Sequence, residues 1–267
     1  MKIGVLGKIT KVGTDEVIQE IITALEGLGH ETVRFSTHRE IDGVDVVIVL
    51  GGDGAILHAA VPAAQKGIKI IGINFGNLGF LTEYEKDERD RVKDLVMALE
   101  AGLCQIVKRS LLQITIGEKV FYALNEVAIQ RDNSLISAAA TQILTVELDA
   151  KEGKDTIAGD GLLICTPTGS TAYSLSAGGA ILTPEVPVFM MTPICAFSMR
   201  SRPIVFADTN EFTLRIKKGK AIVLSDGKVI AALPENGEIH IKKAPFTADF
   251  PVKDGTDFFA RVRNKLG

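Results

Sequence analysis

Asp53 is the residue best placed for chemistry, because glycines flank it in the stretch Gly-Gly-Asp-Gly at residues 51–54. An apolar, mostly β-branched run, Val46–Leu50, precedes this stretch and predicts a strand of a parallel sheet that is covered on both faces. Open α/β sheets bind ligands beyond the carboxyl ends of their strands. Helix-forming residues follow from Ala55, and their free N–H groups would point at a phosphate. The pattern predicts a phosphate-binding loop, with a flexible strand-to-helix turn as the alternative. The glycines of this loop are Gly51, Gly52 and Gly54.

A second polar stretch, TPTGSTAYSLSAGG at residues 166–179, is dense in hydroxyl groups and glycines. It follows the apolar run Leu162–Cys165, which Gly159-Asp160-Gly161 precedes. Every buried hydroxyl needs a hydrogen-bond partner, so this density favours a surface that holds ribose hydroxyls, amides and phosphates. The alternative is a turn that caps the next helix, for which one or two such residues suffice.

Two smaller features could add to a binding site. Asn125-Glu126 ends another strand-like run, and an amide beside a carboxylate can read a base edge and grip a ribose diol. Taken alone, the pair is explained at least as well as two polar residues of an edge strand. His58 lies five residues after Asp53, close enough to touch the same ligand, although a surface histidine fits equally.

Other features of the sequence disfavour several functions. A formal net charge of −3 gives no basic footprint for nucleic acid. Neither a Walker A motif nor a G-x-G-x-x-G fingerprint occurs, which disfavours a dehydrogenase, and the four histidines show no metal-ligand spacing. No apolar run reaches the ~18 residues of a membrane span, and no signal peptide is recognisable. Three cysteines in apolar runs indicate reduced thiols, so we expect a cytoplasmic protein that binds neither nucleic acid nor a membrane.

The spacing of apolar residues divides the chain into two parts. From residue 1 to 104, strand-like runs alternate with stretches of helical spacing, which predicts an α/β domain with a doubly wound parallel sheet. The predicted strands here are Lys2–Gly7, Glu31–Ser36, Val46–Leu50 and Lys69–Asn74, and the predicted helices include Thr14–Leu28 and Asp87–Ala101.

Residues 105–245 differ, because strand-like runs follow one another with little helix between them. Turn signals such as Asp226-Gly227 separate the runs and predict a β-rich, mainly antiparallel domain. A terminal amphipathic helix, Thr256–Leu266, is expected to dock on another part of the protein. The predicted strands are Leu111–Ile116, Val120–Gln130, Gln142–Asp149, Gly161–Cys165, Val188–Thr192, Glu211–Ile216, Ala221–Leu224 and Gly237–Ile241.

Four segments together resemble the NAD kinases: LGGDG at 50–54, NE at 125–126, GDG at 159–161 and TPTGSTAYSLSAGG at 166–179. The last is the most specific, whereas GGDG alone also occurs in lipid kinases and phosphofructokinases. The resemblance covers nearly the whole chain. It implies an α/β N-terminal domain, a β-rich C-terminal domain and a chain end, residues 246–267, that returns to the first. It also implies phosphoryl transfer from ATP or polyphosphate to the adenosine-ribose 2′-hydroxyl of NAD, with a divalent metal such as Mg²⁺.

The resemblance also assigns roles to residues. Asp53 would be the general base, although a carboxylate there could instead hold the metal of the triphosphate. Family members are homodimers or homotetramers whose sites borrow residues across a subunit interface, so the segment around Cys195 is expected to serve a neighbour. The residues implied to contact NAD are Asp53, Gly54, His58, Asn125, Glu126, Ala158, Asp160, Thr171, Ala172, Tyr173, Ser174, Leu175 and Ser176.

Three positions depart from the family pattern. Ala55 follows GGDG where many members have Thr, Ala158 stands where some bacterial members have a basic residue, and Lys228 stands where Gln is common. The hydroxyl missing at Ala55 supports one alternative, a non-catalytic NAD-binding sensor. The other alternative is a GGDG-type kinase that acts on a lipid or a sugar.

Overall fold

A computed structural model describes residues 1–7, 14–75, 79–132, 143–255 and 257–266. The chain forms two compact units, Met1–Arg109 with Phe246–Gly267, and Ser110–Pro245. The described helices are all too short or too polar to span a lipid bilayer.

The first unit contains a five-stranded parallel sheet in the order β2-β1-β3-β4-β5. β3 lies between β1 and β4, and Val46 to Val49 have no exposed surface, which confirms the predicted sheet covered on both faces. From β1 the chain adds β2 on one side of the sheet, and from β3 it adds β4 and β5 on the other side. The carboxyl end of β3 therefore lies at the topological switch point, where the strand order reverses. The elements are β1 (Lys2–Gly7), α1 (Thr14–Gly27), β2 (Glu31–Phe35), β3 (Val46–Gly51), α2 (Asp53–Gln65), β4 (Lys69–Asn74), β5 (Tyr84–Glu85) and α3 (Val92–Glu100).

The predicted helix Asp87–Ala101 forms in two parts. Lys86–Arg91 is a 3₁₀ helix, and the α-helix begins only at Val92. A capping box between Glu85 and Glu88 caps the N-terminus of the 3₁₀ helix. The helical segment therefore starts earlier than the apolar spacing indicates. Val92, Leu95 and Val96 then pack into the core of the first unit, as their spacing predicts.

The second unit contains two six-stranded sheets, β10-β9-β14-β17-β6-β7 and β13-β12-β11-β8-β15-β16. The strand pairs described within it are antiparallel, and apolar residues of both sheets form one core. The predicted β-rich second domain is therefore confirmed. Its elements are β6 (Gln105–Ile116), β7 (Lys119–Ala123), β8 (Glu126–Arg131), β9 (Leu144–Ala150), β10 (Gly153–Gly159), β11 (Gly161–Cys165), α4 (Tyr173–Ser176), β12 (Val188–Ile194), β13 (Ile204–Ala207), β14 (Phe212–Lys218), β15 (Ala221–Ser225), β16 (Lys228–Leu233) and β17 (Glu238–Val252).

One predicted strand, Val120–Gln130, is wrong as a single element. The chain leaves one sheet at Ala123 and enters the other at Glu126, so that Leu124 and Asn125 lie between β7 and β8. The prediction Gln142–Asp149 corresponds to β9, and Gln142 lies outside the described residues. Three strands, β10, β13 and β16, were not predicted from the sequence, because their exposed or short runs do not alternate clearly.

The terminal helix α5 (Phe258–Leu266) forms nearly as predicted, although Thr256 lies outside the described residues. The helix belongs to the first unit, but no buried apolar face holds it there, because Phe259 is 65% exposed and the helix has no buried residue. Arg261 instead pairs with the buried Glu83 and donates to the Phe80 carbonyl at 3.3 Å. Polar contacts therefore fix α5 on the first unit.

Candidate active site

Asp53 is the first residue of α2, and its carboxylate is bound to a neighbouring loop rather than to its own helix. The N–H groups of Phe80 and Leu81 donate to Oδ2 and Oδ1, each at 2.9 Å. Lys265 of α5 donates to Oδ2 at 3.0 Å, with its ammonium 4.5 Å from the Phe80 ring centroid. A carboxylate oxygen accepts about two hydrogen bonds, so Oδ1 keeps an acceptor position for a further donor or a cation.

Gly79 is required where the loop meets this carboxylate. A Cβ atom at Gly79 would lie 2.3 Å from Oδ1 of Asp53 and 2.9 Å from Oγ1 of Thr82. Any side chain here would displace the carboxylate from the position that the two N–H groups define. The loop from 79 to 81 therefore orients Asp53, and 28% of the Asp53 side chain stays exposed to accept a ligand.

The predicted phosphate loop has two kinds of glycine. A Cβ at Gly51 would lie 2.5 Å from that of Ala55, so packing alone requires this glycine. Among the described residues, nothing lies within 4 Å of the corresponding positions at Gly52 and Gly54. Gly52 is the N-cap of α2, whose first turn carries the N–H groups and positive dipole end that suit an anion.

His58 lies partly buried on α2, beyond the first turn that carries Asp53. Its ring stacks on that of His38, with centroids 5.4 Å apart and planes 25° from parallel. The histidine is therefore packed within the first unit, and its predicted contact with NAD stays a prediction.

In the second unit, Asn125 and Glu126 lie where the chain changes sheets, and both are buried. The carboxylate of Asp226, in the turn between β15 and β16, accepts the N–H groups of Leu124, Asn125 and Glu126. Asp226 was predicted from the sequence to lie in a turn and was not among the predicted site residues. A Ser-Asp-Gly turn does not need a carboxylate to form. The presence of the aspartate is therefore the signal that could have identified it as a functional residue.

The Glu126 carboxyl has an unusual environment. Burial, with a smaller contribution from the nearby Asp226 charge, raises the pKa of Glu126 to about 8. Its Oε2 atom is buried and has no hydrogen-bond partner within the described part of the chain. Burial also raises the pKa of Asp226, but its backbone donors and Lys228 favour the ionised form. Of the two carboxyls, Glu126 therefore takes the proton first.

The hydroxyl-rich segment is less exposed than expected, because Thr166, Thr168, Ser170 and Ser174 are buried. Their partners lie within the unit: Thr166 donates to the Leu124 carbonyl at 2.5 Å, and Ser170 to that of Pro167 at 2.7 Å. The argument that such density is hard to bury was therefore wrong for these four residues. The Leu124 carbonyl, 42 residues away along the chain, satisfies the Thr166 hydroxyl, and the local Pro167 carbonyl satisfies that of Ser170. The segment forms short helical turns at Thr168–Thr171 and Tyr173–Ser176.

The predicted dinucleotide contacts in this segment are placed as follows. Ser174 is fully buried, and its hydroxyl lies 2.9 Å from that of Thr192. Tyr173 is partly exposed and accepts a hydrogen bond from Gln130 at 2.8 Å. Thr171, Ala172 and Leu175 are partly exposed, and Ser176 is exposed.

Asp160 and Ala158 flank the entry to β11. Asp160 forms an ion pair with Arg131 at 3.2 Å, and the partly buried Ala158 accepts the Phe197 N–H at 2.8 Å. Gly169 lies against the Asn125 backbone, where a Cβ would come within 2.1 Å of the carbonyl oxygen. The structure thus brings the hydroxyl-rich segment and Asn125 together.

A protein-only metal site is not found among the described residues, because no group of three or more His, Cys, Asp or Glu could hold an ion. Mg²⁺ in nucleotide sites is held by one or two carboxylates together with substrate phosphates. The single carboxylate of Asp53 beside an anion-binding helix terminus fits that arrangement.

Comparisons with known proteins cover both units. The family model described as the ATP-NAD kinase N-terminal domain matches residues 7–101, and that of the C-terminal domain matches 124–251. The NAD kinase of Carboxydothermus hydrogenoformans is 38% identical over 84% of this chain and 79% of its own. That of Methanothermobacter thermautotrophicus is 33% identical over 100% of this chain and 96% of its own.

Two solved structures share the fold. The NAD kinase of Archaeoglobus fulgidus in complex with ATP superposes with a TM-score of 0.80 at 28% identity, covering 100% of this chain and 98% of that one. Yeast NADH kinase complexed with NADH superposes with a TM-score of 0.86, covering 100% of this chain and 87% of that one. At 22% identity, the second likeness concerns the fold alone.

Proposed function

The chain belongs to the ATP-NAD kinase family, and we infer that it transfers a phosphoryl group from ATP to the adenosine-ribose 2′-hydroxyl of NAD, producing NADP. The observation that carries this conclusion is the match of both family domains, together with relatives 33–38% identical over most of the chain. The GGDG loop at the end of β3 supplies the acid and the anion-binding helix terminus that such a transfer needs.

We propose that Asp53 acts on the acceptor hydroxyl. Phosphoryl transfer depends mainly on positioning and on neutralising charge, because the transition state is loose. The two N–H groups that hold Asp53 fix the carboxylate, and the remaining acceptor position on Oδ1 suits a sugar hydroxyl. Asp53 then orients this hydroxyl and accepts its proton late, once bond formation has made it acidic.

The proposal includes Mg²⁺ as a companion of the donor triphosphate, which it neutralises when bound. Among the described residues, Asp53 would supply a carboxylate ligand to Mg²⁺. In that case the carboxylate would contact the ion instead of the acceptor hydroxyl. Ammonium groups also neutralise phosphates, and Lys265 lies beside Asp53. ATP is the proposed donor because a relative that shares the fold at 28% identity was solved with ATP. Polyphosphate is the alternative donor.

We propose that NAD is bound by the polar groups of the predicted set. In the second unit, Asn125, Glu126, Tyr173 and Asp160 offer amide, carboxyl, phenol and carboxylate groups. Oε2 of Glu126 has no hydrogen-bond partner in the described part of the chain, and it supports this assignment most strongly because a ribose diol would supply a donor. In the first unit, the predicted NAD contacts are Asp53, Gly54 and His58.

We also propose a homodimer or homotetramer. Phe197 and Met199 are 80% and 84% exposed, and they precede the edge strand β13, whose Ile204 and Val205 are also exposed. Exposed apolar residues at a sheet edge are typical of an interface between subunits. Light scattering should give a mass of two or four chains, and a Val205→Lys substitution should reduce it. A monomer at micromolar concentration would contradict the assembly.

A cytoplasmic location is the remaining proposal. All three cysteines, Cys104, Cys165 and Cys195, are free thiols, as is usual in a reducing compartment.

The activity is tested with purified protein, NAD, ATP and Mg²⁺, followed by an NADP-specific dehydrogenase that converts the product to NADPH. The expected result is NADPH formation that requires both NAD and ATP. Binding of NAD without product would favour the sensor, and ATP turnover only with a lipid or a sugar would favour the other kinase class. Either outcome would refute the proposed function.

A further inference from the structure

The backbone from Leu124 to Glu126 is held from two sides. The N–H groups of Leu124, Asn125 and Glu126 donate to the Asp226 carboxylate at 2.8, 2.8 and 3.1 Å. The Leu124 carbonyl accepts the Thr166 hydroxyl at 2.5 Å, and that of Asn125 accepts the Thr166 N–H at 2.9 Å. The Glu126 carbonyl accepts the Asp226 N–H at 3.0 Å. Asp226 and Thr166 thus satisfy all six backbone polar groups of the three residues.

The turn that carries Asp226 does not itself need a carboxylate. Asp226 and Gly227 form a two-residue hairpin loop between β15 and β16, with φ of 46° and 77°. Asn and Gly suit such positive-φ turns as well as Asp does. The Ser225 hydroxyl also donates to the Tyr122 carbonyl at 2.9 Å, which anchors the hairpin beside the segment. The three bonds accepted by Asp226 therefore give its carboxylate a role beyond the turn.

The side chains that this arrangement fixes are buried and polar. Asn125 is 9% exposed and Glu126 is 7% exposed, and Oε2 of Glu126 has no partner among the described residues. A buried oxygen without a partner is costly, so this atom indicates that a ligand supplies the missing donor.

We propose that Asp226 is a positioning residue for NAD binding, because its carboxylate fixes the Leu124–Glu126 backbone and thereby the side-chain oxygens of Asn125 and Glu126. The inference rests on the proposed function, in which these two residues contact the dinucleotide. Asp226 touches the backbone of the binding residues, and Thr166 supports the same backbone from the other side.

The charge of Asp226 has a second effect, on the ionisation of Glu126. Like charges repel, so the Asp226 carboxylate contributes to the raised pKa of Glu126, after burial. The other groups that face this pair are Lys228, next to Asp226, and the Cys165 thiol, opposite Glu126 on β11. Burial raises the pKa of Cys165 to about 12, so the thiol stays neutral near pH 8. Removing the Asp226 charge should therefore let Glu126 ionise at lower pH.

The test compares three variants at a temperature well below their unfolding midpoints. Asp226→Asn keeps the shape but places an amide N–H₂ against at least one backbone N–H, and Thr166→Val removes the opposite hydroxyl. Asp208→Asn is the matched control, because Asp208 is a buried carboxylate of the same unit that pairs with Lys243. The KM values for NAD and ATP, kcat and the pH dependence of the KM for NAD are measured for each.

We expect Asp226→Asn to raise the KM for NAD about tenfold or more at pH 9, where Glu126 is mostly ionised with or without the Asp226 charge, with the KM for ATP changed less than about twofold. The pH midpoint of the NAD profile should fall below the wild-type value near 8. Thr166→Val should raise the KM for NAD without moving the midpoint, and Asp208→Asn should change neither. A folded Asp226→Asn variant with an unchanged KM and midpoint would overturn the inference. If that variant does not fold, an unchanged KM in Thr166→Val would overturn it.

The outcome also separates this inference from the proposed function. If wild-type protein forms no NADP, the function fails, and calorimetric titration of NAD into the same variants then decides the role of Asp226. Tenfold weaker NAD binding in Asp226→Asn would support the inference, and unchanged binding would refute it.

Discussion

Raising the pH should strengthen NAD binding, because Glu126 must ionise to accept two ribose hydroxyls. With a pKa of about 8, the ionised fraction rises from roughly 9% at pH 7 to roughly 91% at pH 9. If the ionised carboxylate is the binding form, the KM for NAD falls about tenfold over this range. The KM falls rather than rises over this range, because a carboxyl group gains its negative charge as the pH rises.

Initial rates at saturating ATP, with NAD varied at half-unit steps from pH 6.5 to 9.5, measure this effect. The Glu126→Gln variant is the matched control, because its neutral amide cannot titrate and its profile should be flat over the same range. A wild-type KM that is equal at pH 7 and pH 9, or a Glu126→Gln profile with the wild-type slope, would refute the reasoning.

The free energy of unfolding should also depend on the Glu126 carboxyl, but it should fall as the pH rises, whereas NAD binding strengthens. The pKa of Glu126 is raised on folding, so the native state binds a proton that the unfolded state has lost between about pH 4.5 and pH 8. The contribution of Glu126 to stability is therefore present at low pH and is lost as the pH rises through 8. Glu126→Gln should raise the thermal midpoint relative to wild type at pH 8.5 more than at pH 5, and an equal difference at both would contradict the shift.

Three further substitutions test how the site is held. Gly79→Ala would place a Cβ 2.3 Å from Oδ1 of Asp53 and so displace the carboxylate. Because a misplaced catalytic group slows the reaction by at least about tenfold, kcat should fall by that much or more. Steady-state kinetics with an unchanged kcat would show that the position of the carboxylate is unimportant. Gly169→Ala should destabilise the second unit by about 1–3 kcal/mol, since its Cβ would approach the Asn125 carbonyl, and urea unfolding measures the loss. Arg261→Met should lower the free energy of unfolding by about 3–5 kcal/mol, because it leaves the buried Glu83 without its guanidinium partner on α5, and a change below 1 kcal/mol by the same method would contradict that role.

The sheet and the acid of the first unit could be predicted from local sequence. An unbroken β-branched run followed by GGDG gives the central strand, its buried faces and the position of Asp53 at the strand end. The partners of that acid could not be predicted in this way. Phe80, Leu81 and Lys265 are 27, 28 and 212 residues from Asp53 along the chain, and no periodicity relates residues at such separations.

The second unit shows a similar division. Short-range patterns identified most of its strands, but the change of sheet at Leu124 and Asn125 depends on contacts with Asp226 and Thr166 that lie about 40 to 100 residues away. The hydroxyl density of residues 166–179 was informative about the family and misleading about exposure. Carbonyls of the same unit satisfy the hydroxyls of Thr166 and Ser170, and composition does not specify the direction in which a side chain points.

The role of Asp53 is tested most directly by single-turnover kinetics of Asp53→Asn with NAD and ATP both saturating, alongside calorimetric binding of NAD. The amide keeps the size of the side chain and removes its ability to accept a proton, although its N–H₂ group also faces one of the N–H groups of Phe80 and Leu81. We predict that NADP formation slows by at least about 100-fold, the lower range for removing a general base, while the Kd for NAD changes less than about threefold. A folded variant that forms NADP at near the wild-type rate would contradict the central role of Asp53.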